Sequence, residues 1–153
     1  IAPLTLALDG GDSGEAYWLR ADPIHIKVER HRLMLVDSAL FEVAAEEAQA
    51  LAAALNAHFA GDGYAISAPH PKRWYLKLPH TPRLVTHSVS EAAGRDVHSC
   101  LPQGPDALAW HRVFNEAQML LHSHPANAAR EDRGEPIRPQ GACFGLELHS
   151  LEV

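Results

Sequence analysis

The spacing of the hydrophobic residues changes along this chain, and the change restricts the folds that the chain can adopt. From Ile24 to Glu29 apolar and polar side chains alternate, which is the pattern of a strand with one buried face. From Ala44 to Phe59 the apolar spacing is about 3.6 residues, the period of an amphipathic helix. A second helical pattern runs from Pro105 to Ser123. The chain therefore has to bury strand and helix surfaces together.

Shorter patterns predict the other elements. Arg30-His31 is a predicted hairpin turn, and alternating residues predict further strands at 17–19, 32–37, 64–68, 74–78 and 84–86. His124 precedes a proline, which disfavours helical geometry, so the long helix breaks there and Ala126 to Arg133 form a short helix. Hairpins combined with helices predict an α+β fold, in which two main helices pack on one face of an antiparallel or mixed sheet.

Each main helix has one predicted apolar stripe, so each needs a single covering surface. The stripe of the first helix consists of Ala44, Ala48, Leu51, Leu55 and Phe59. The stripe of the second consists of Leu108, Val113, Phe114, Ala117, Leu120 and Leu121. The first helix ends at Gly61-Asp62-Gly63, because glycine readily adopts the left-handed conformation that follows a helix.

The length of 153 residues suits one domain with its own core. Residues 1–16 contain Pro3 and a run of Gly and Asp, which predicts a loop. We therefore predict a flexible N-terminal segment over 1–14, a single α+β domain over 15–135 and a C-terminal tail over 136–153.

Charge and composition exclude several classes of partner. The formal net charge is −6 and no predicted face clusters Lys and Arg, which argues against a nucleic-acid partner. No apolar run approaches the roughly 18 residues that span a bilayer, which argues against a membrane partner. Cys100 and Cys143 are too few and too far apart for a disulfide framework, which favours free thiols and a cytoplasmic location.

The predicted strand at 74–78, with the residue before it, contains the first candidate site. Arg73, Tyr75 and Lys77 share one face, while the apolar residues between them share the other. An Arg-Tyr-Lys face can hold a phosphate or a carboxylate, because the guanidinium forms bidentate bonds and the tyrosine hydroxyl donates another. The alternative is that these three residues form the solvent face of an edge strand.

A second candidate site is predicted at the junction of the last two helices. His124 lies close to the N-terminus of the short helix, and Asn127 and Arg130 are three residues apart on one face of it. Free N–H groups at a helix N-terminus, with an Asn and an Arg, could hold an anion. The alternative is structural: His124 and Asn127 satisfy backbone groups, and Arg130 pairs with Glu131 or Glu116.

Other patterns carry weaker indications of chemistry. His122-x-His124 lacks metal-site geometry, since histidines two apart point to different sides of a helix. His98 beside Cys100 has no third group to orient it, and the acidic loop 9–15 lacks the spacing of a calcium loop. We therefore predict no catalytic residue, no metal ligand and no cofactor.

The order of four motifs resembles a known family. The segment from Asn115 to Arg130 resembles the Asn-…-Leu-x-x-His-Pro-Val-Asn-x-x-Arg segment of archaeal-type cofactor-independent phosphoglycerate mutases. More closely, the chain resembles proteobacterial proteins described as phosphoglycerate mutase-like or as RpfE-type regulatory proteins. The shared motifs over about residues 15–135 are Ala21 to His25, Glu46-Glu47-Ala48, Arg73-Trp74-Tyr75-Leu76 and His124-Pro125-x-Asn127.

This resemblance implies a relation to enzymes that transfer a phosphoryl group through a serine with two metal ions. The matching segment corresponds to the smaller part of those enzymes, and after Arg138 the chain departs from the family in a divergent tail. Two functions remain open. The first is a non-catalytic domain that binds a phosphorylated or carboxylated small molecule. The second is a regulatory or protein-interaction module of the RpfE type, and a homodimer is a further predicted partner.

Overall fold

A computed structural model of the protein describes residues 2–36, 42–87, 94–133 and 144–149. The strands are β1 (Tyr17–Glu29), β2 (Arg32–Val36), β3 (Ala65–His70), β4 (Arg73–Leu78) and β5 (Phe144–His149). The helices are α1 (Ala2–Leu8), α2 (Ala45–Phe59), α3 (Ala107–His122) and α4 (Pro125–Asp132). The strands pair antiparallel in the order β2-β1-β4-β3, and β5 also pairs with β1. The predicted α+β fold with a sheet built from hairpins is confirmed.

Both predicted hairpins are present, and β1 is longer than predicted. β1 and β2 pair from Glu29↔Arg32 outward, around a turn in which Arg30 has a φ of 51°. The sequence predicts two separate strands, at 17–19 and at 24–29, whereas β1 is continuous through Asp22-Pro23 between them. Proline fixes φ close to the extended region and pushes the residue before it towards the same region, so the pair costs the strand only one N–H donor.

A helix occupies part of the segment for which a loop is predicted, so the loop prediction is wrong for Ala2–Leu8. This helix, α1, buries Ala2 and Leu6, one turn apart, against Tyr75 and Trp18 of the sheet. Its pattern is hard to recognise because it is short and carries no charged residue. These contacts form a second, smaller core on the face of the sheet opposite α2 and α3.

The fifth strand of the sheet is not the predicted one. Leu84 to Thr86 form no strand, and Val85 makes only an isolated bridge to Gln103. Instead, β5 from the predicted tail pairs with β1 between Arg20 and His25. Residues on both sides of the predicted 15–135 limits therefore contact the sheet.

α2 and α3 pack on the same face of the sheet and share one main core. α2 contributes Ala48, Leu51, Ala52, Leu55 and Phe59, while Ala44 precedes the helix and is exposed. α3 contributes Trp110, Phe114, Ala117 and Leu121. The prediction for Leu108 is wrong, since its side chain is 77% exposed and Trp110 takes the inward position near that end. The strands complete this core with Leu19, Ala21, Ile66, Ala68, Trp74, Leu76 and Leu78.

We predict that Leu55→Ala and Leu121→Ala each lower the free energy of unfolding by about 2–5 kcal/mol, because both side chains are buried in the main core. Leu108→Ala is the matched control on the surface of α3, and it should change stability by less than about 0.5 kcal/mol. Urea unfolding measures all three. Equal effects at the three positions would show that the core is assigned wrongly.

Candidate functional site

The first predicted site lies under α1 rather than on an open surface. β4 pairs with β1 on one side and with β3 on the other, so the alternative of an edge strand is wrong. Tyr75 is fully buried in the second core, whereas the Arg73 side chain is 42% exposed. Lys77 is exposed. The face is therefore covered at Tyr75 and accessible at Arg73 and Lys77 on either side of it.

The Asp9 carboxylate binds to Arg73 and Tyr75, and these three residues are called the Asp9 cluster below. Arg73 Nε lies 2.8 Å from Asp9 Oδ2 and Arg73 Nη2 lies 2.6 Å from Asp9 Oδ1. The Tyr75 hydroxyl donates to Asp9 Oδ2 at 2.6 Å. This is the bidentate arrangement, with an added tyrosine, that the sequence predicts for an external anion. Lys77 follows Tyr75 by two residues on β4, and its side chain is exposed.

The end of α1 positions Asp9. The Asp9 N–H donates to the Thr5 carbonyl at 3.0 Å, and the Gly11 N–H donates to the Leu6 carbonyl at 2.9 Å. Gly10 between them has a φ of 84°, a conformation that favours glycine and ends a helix. The chain turns tightly here, since a Cβ on Gly11 would lie 2.3 Å from Leu6 Cδ1.

The charges around the cluster favour an anion. Hydrogen bonds from Arg73 outweigh the effect of burial and lower the pKa of Asp9 from 3.8 to about 2, with smaller contributions from Tyr75 and His70. Burial, followed by the bond to Asp9, raises the pKa of Tyr75. The bond to Asp9 also raises the pKa of Arg73. Both donors therefore keep their protons at neutral pH.

A second ion pair, between Arg20 and Asp22, lies next to the Asp9 cluster. The Arg20 guanidinium lies 5.4 Å from the centre of the Tyr75 ring and hydrogen-bonds the Asp22 carboxylate. Asp22 Oδ1 also accepts the Trp74 N–H at 3.1 Å, which ties this pair to the backbone of β4. Sequence reasoning missed Asp9, Arg20 and Asp22, although the Leu6-Ala7-Leu8-Asp9-Gly10 run is a helix-end signal for the first of them.

Several polar groups of the second predicted site form hydrogen bonds within the protein. Asn127 Nδ2 donates to the Leu121 carbonyl at 2.6 Å, and His124 Nδ1 accepts the Ala126 N–H at 3.2 Å. The N–H groups of Asn127 and Ala128 donate to the His124 carbonyl. Among the described residues, Asn127 Oδ1 is buried without a hydrogen-bond partner, but it is an acceptor and cannot bind an anion.

Arg130 is buried and pairs with a carboxylate, that of Glu47 at the start of α2. Arg130 Nη1 lies 2.5 Å from Glu47 Oε2, and its Nη2 donates to the Glu42 carbonyl. Burial alone would raise the pKa of Glu47, but bonds from the Ala44 N–H and from Arg130 and Arg133 lower it. The arrangement joins α4 to the start of α2, which favours the structural interpretation of His124, Asn127 and Arg130.

In the part of the chain that the structure describes, no three His, Cys, Asp or Glu side chains are placed to hold a metal ion. A groove of about 290 Å³ lies between α2 and β3. Two of its polar side chains hydrogen-bond the backbone of β3. Gln49 donates to the Ala68 carbonyl, and Asn56 bonds both the N–H and the carbonyl of Ile66. These bonds cover the free edge of the sheet.

Comparisons with known proteins leave the family open. A scan against protein-family models, a search of curated proteins and a search of solved structures each give no match. The resemblance to phosphoglycerate mutases therefore rests on the order of the four motifs alone. Across the described ranges, no helix has both the length and the apolar character needed to cross a membrane.

We predict that Arg130→Ala destabilises the fold by about 3–5 kcal/mol, because it leaves Glu47 partly buried beside an empty position. Arg133→Ala is the matched control, since Arg133 binds the same carboxylate but is 47% exposed, and it should cost less than about 1 kcal/mol. Thermal and urea unfolding compare the two. Similar small losses would contradict the structural role of Arg130.

Proposed function

We propose that this chain is a non-catalytic domain that binds a phosphate- or carboxylate-bearing small molecule through Arg73 and Tyr75. The proposal rests on one observation. Arg73 and Tyr75 already bind the Asp9 carboxylate, and their hydrogen bonds reach both of its oxygen atoms. A planar guanidinium matches the oxygen spacing of carboxylates and phosphates equally well. The bound Asp9 side chain thus serves as a template for the anionic group of a ligand.

The proposed role is binding rather than catalysis, because of the protonation of the two donors. Catalysis by a general base or a nucleophile needs a group that can lose its proton near neutral pH. The pKa values of Arg73 and Tyr75 are both raised, so the two residues remain donors. Donors of this kind hold and orient an anion. The motif order shared with phosphoglycerate mutases makes phosphoglycerates the first ligands to test.

A regulatory or protein-interaction module, with a homodimer as one form of it, is the second candidate. The observation that favours it is the outer face of α1, where Leu4 is 71% exposed and Leu8 is 85% exposed. Two exposed leucines one turn apart on a helix form a small apolar surface of the kind that protein partners cover. Sedimentation of the wild-type chain and of a Leu4→Ser/Leu8→Ser variant tests this candidate. If the wild type self-associates through these leucines, the variant should sediment as a smaller species than the wild type.

We predict that Asp9→Ala, which vacates the anion position, binds 3-phosphoglycerate at millimolar concentration. Saturable heat in calorimetry and a rise in melting temperature should both appear, because a ligand that binds only the folded state stabilises it. The matched control is Asp9→Ala/Arg73→Gln, which keeps the opened position and removes the guanidinium. Binding should then be lost. Equal binding by both variants would place the ligand elsewhere and contradict the proposal.

A further inference from the structure

We infer that α1 is an internal competitor of the proposed site, so that an external anion binds only when α1 leaves the sheet. The inference rests on the proposed function and adds its regulation. Asp9 occupies the hydrogen-bonding positions of Arg73 and Tyr75 that a ligand anion would use. An anion and the Asp9 carboxylate cannot share these donors, since two like charges in one position repel each other.

The attachment of α1 to the sheet combines a small apolar contact with side-chain hydrogen bonds between Tyr75 and both Thr5 and Asp9. The helix buries only Ala2 and Leu6, in a second core whose other members are Tyr75 and the partly buried Trp18. Leu4 and Leu8 point away from the sheet and are exposed. A helix of seven residues is unstable in water by itself, so α1 depends on this docking and on Asp9 for its structure. Detached α1 therefore loses its helical hydrogen bonds.

The connection to β1 permits such a detachment. It covers residues 9–16 and includes Gly10-Gly11-Asp12-Ser13-Gly14, in which Gly10 and Gly14 have φ values of 84° and 49°. Three glycines in five residues allow the backbone wide freedom. The Ser13 carbonyl accepts the Trp18 indole N–H at 2.7 Å, and this bond fixes the end of the connection next to β1. Movement is thus confined to the residues before Ser13.

Removal of α1 would leave a combined surface. The aromatic side chains of Tyr75 and Trp18 would be uncovered, and the Tyr75 hydroxyl and the Arg73 guanidinium, which now share the Asp9 carboxylate, would lie at the margin of this apolar area. The ligand class that matches this surface is an anion with an adjacent apolar group. In the docked state the Asp9 carboxylate occupies the place of the anion, and the Leu6 side chain occupies the place of the apolar group. The competition sets the affinity: if α1 is docked in about nine of ten molecules, the apparent Kd rises about tenfold.

Gly11 allows the docked state to be weakened without changing a charge. A Cβ at this position would lie 2.3 Å from Leu6 Cδ1 and 3.3 Å from the Leu6 carbonyl oxygen, so Gly11→Ala pushes against α1. Gly61→Ala is the matched control, because a Cβ there meets nothing within 4 Å and the glycine has no positive φ. Asp9→Ala removes the competing carboxylate itself.

The test measures the Kd of 3-phosphoglycerate and of inorganic phosphate for the wild type and these three variants. We expect Gly11→Ala to bind more tightly than the wild type, Asp9→Ala to bind about tenfold or more tightly, and Gly61→Ala to equal the wild type. Amide hydrogen exchange of the wild type should increase over residues 2–11 when 3-phosphoglycerate is added, because released α1 unfolds.

Three outcomes separate the two proposals. The expected order of Kd values with faster exchange in α1 supports the competition. Equal Kd values for the wild type and Asp9→Ala, with exchange in α1 unchanged but binding still lost in Asp9→Ala/Arg73→Gln, overturn the competition and leave the proposed function standing. No binding to any variant, Asp9→Ala included, overturns the proposed function and the competition with it.

Discussion

Both faces of the central strand β4 carry buried side chains, and the rest of the structure depends on this constraint. Side chains alternate along a strand, so Trp74, Leu76 and Leu78 enter the main core while Tyr75 turns to the opposite side. α2 and α3 cover the first side. The second side also carries buried surface, and α1 is the element that covers it. Arg73 lies at the margin of this covered surface, where the Asp9 carboxylate binds it.

The parts of the fold with strong periodicity could be predicted from the sequence. The stripe from Ala48 to Phe59 and the alternation around Trp74 place α2 and β4 correctly, because each pattern repeats over several turns or residues. Leu108 and Trp110 show the limit of this reasoning. Both are apolar near the start of α3, and only the packing against the sheet decides that Trp110 faces inward.

Only the donors of the candidate site could be predicted from the sequence. The Arg-Tyr pair follows from alternation along one strand, and so does its capacity for an anion. Its partner Asp9 lies 64 residues from Arg73 in the chain, and no local pattern joins the two. α1 is also too short to show a clear helical period. Because Leu4 and Leu8 on its exposed face are as apolar as Leu6 on its buried face, the sequence does not indicate which face is buried. The sequence therefore specifies the donors, whereas the acceptor depends on the tertiary fold.

The two arginine sites differ in accessibility, and this difference separates their roles. The Arg130 side chain is 2% exposed and reaches Glu47 across the junction of α2 and α4, so its replacement would leave a buried charge unpaired. The Arg73 side chain is 42% exposed, so a ligand can reach it without disruption of the main core. Similar chemistry thus supports a structural contact in one place and a proposed binding site in the other.

The pKa of the Asp9 carboxyl, measured by an NMR pH titration of its carboxyl carbon, tests the central claim most directly. The account predicts a value of about 2, because Arg73 and Tyr75 stabilise the charged form. A folded-state pKa below the ordinary 3.8 adds stability that is present above pH 3.8 and is lost as the pH falls towards 2. In Arg73→Gln the value should return towards 3.8. An Asp9 pKa near 3.8 in the wild type, unchanged by Arg73→Gln, would contradict the claim that this pair binds a carboxylate.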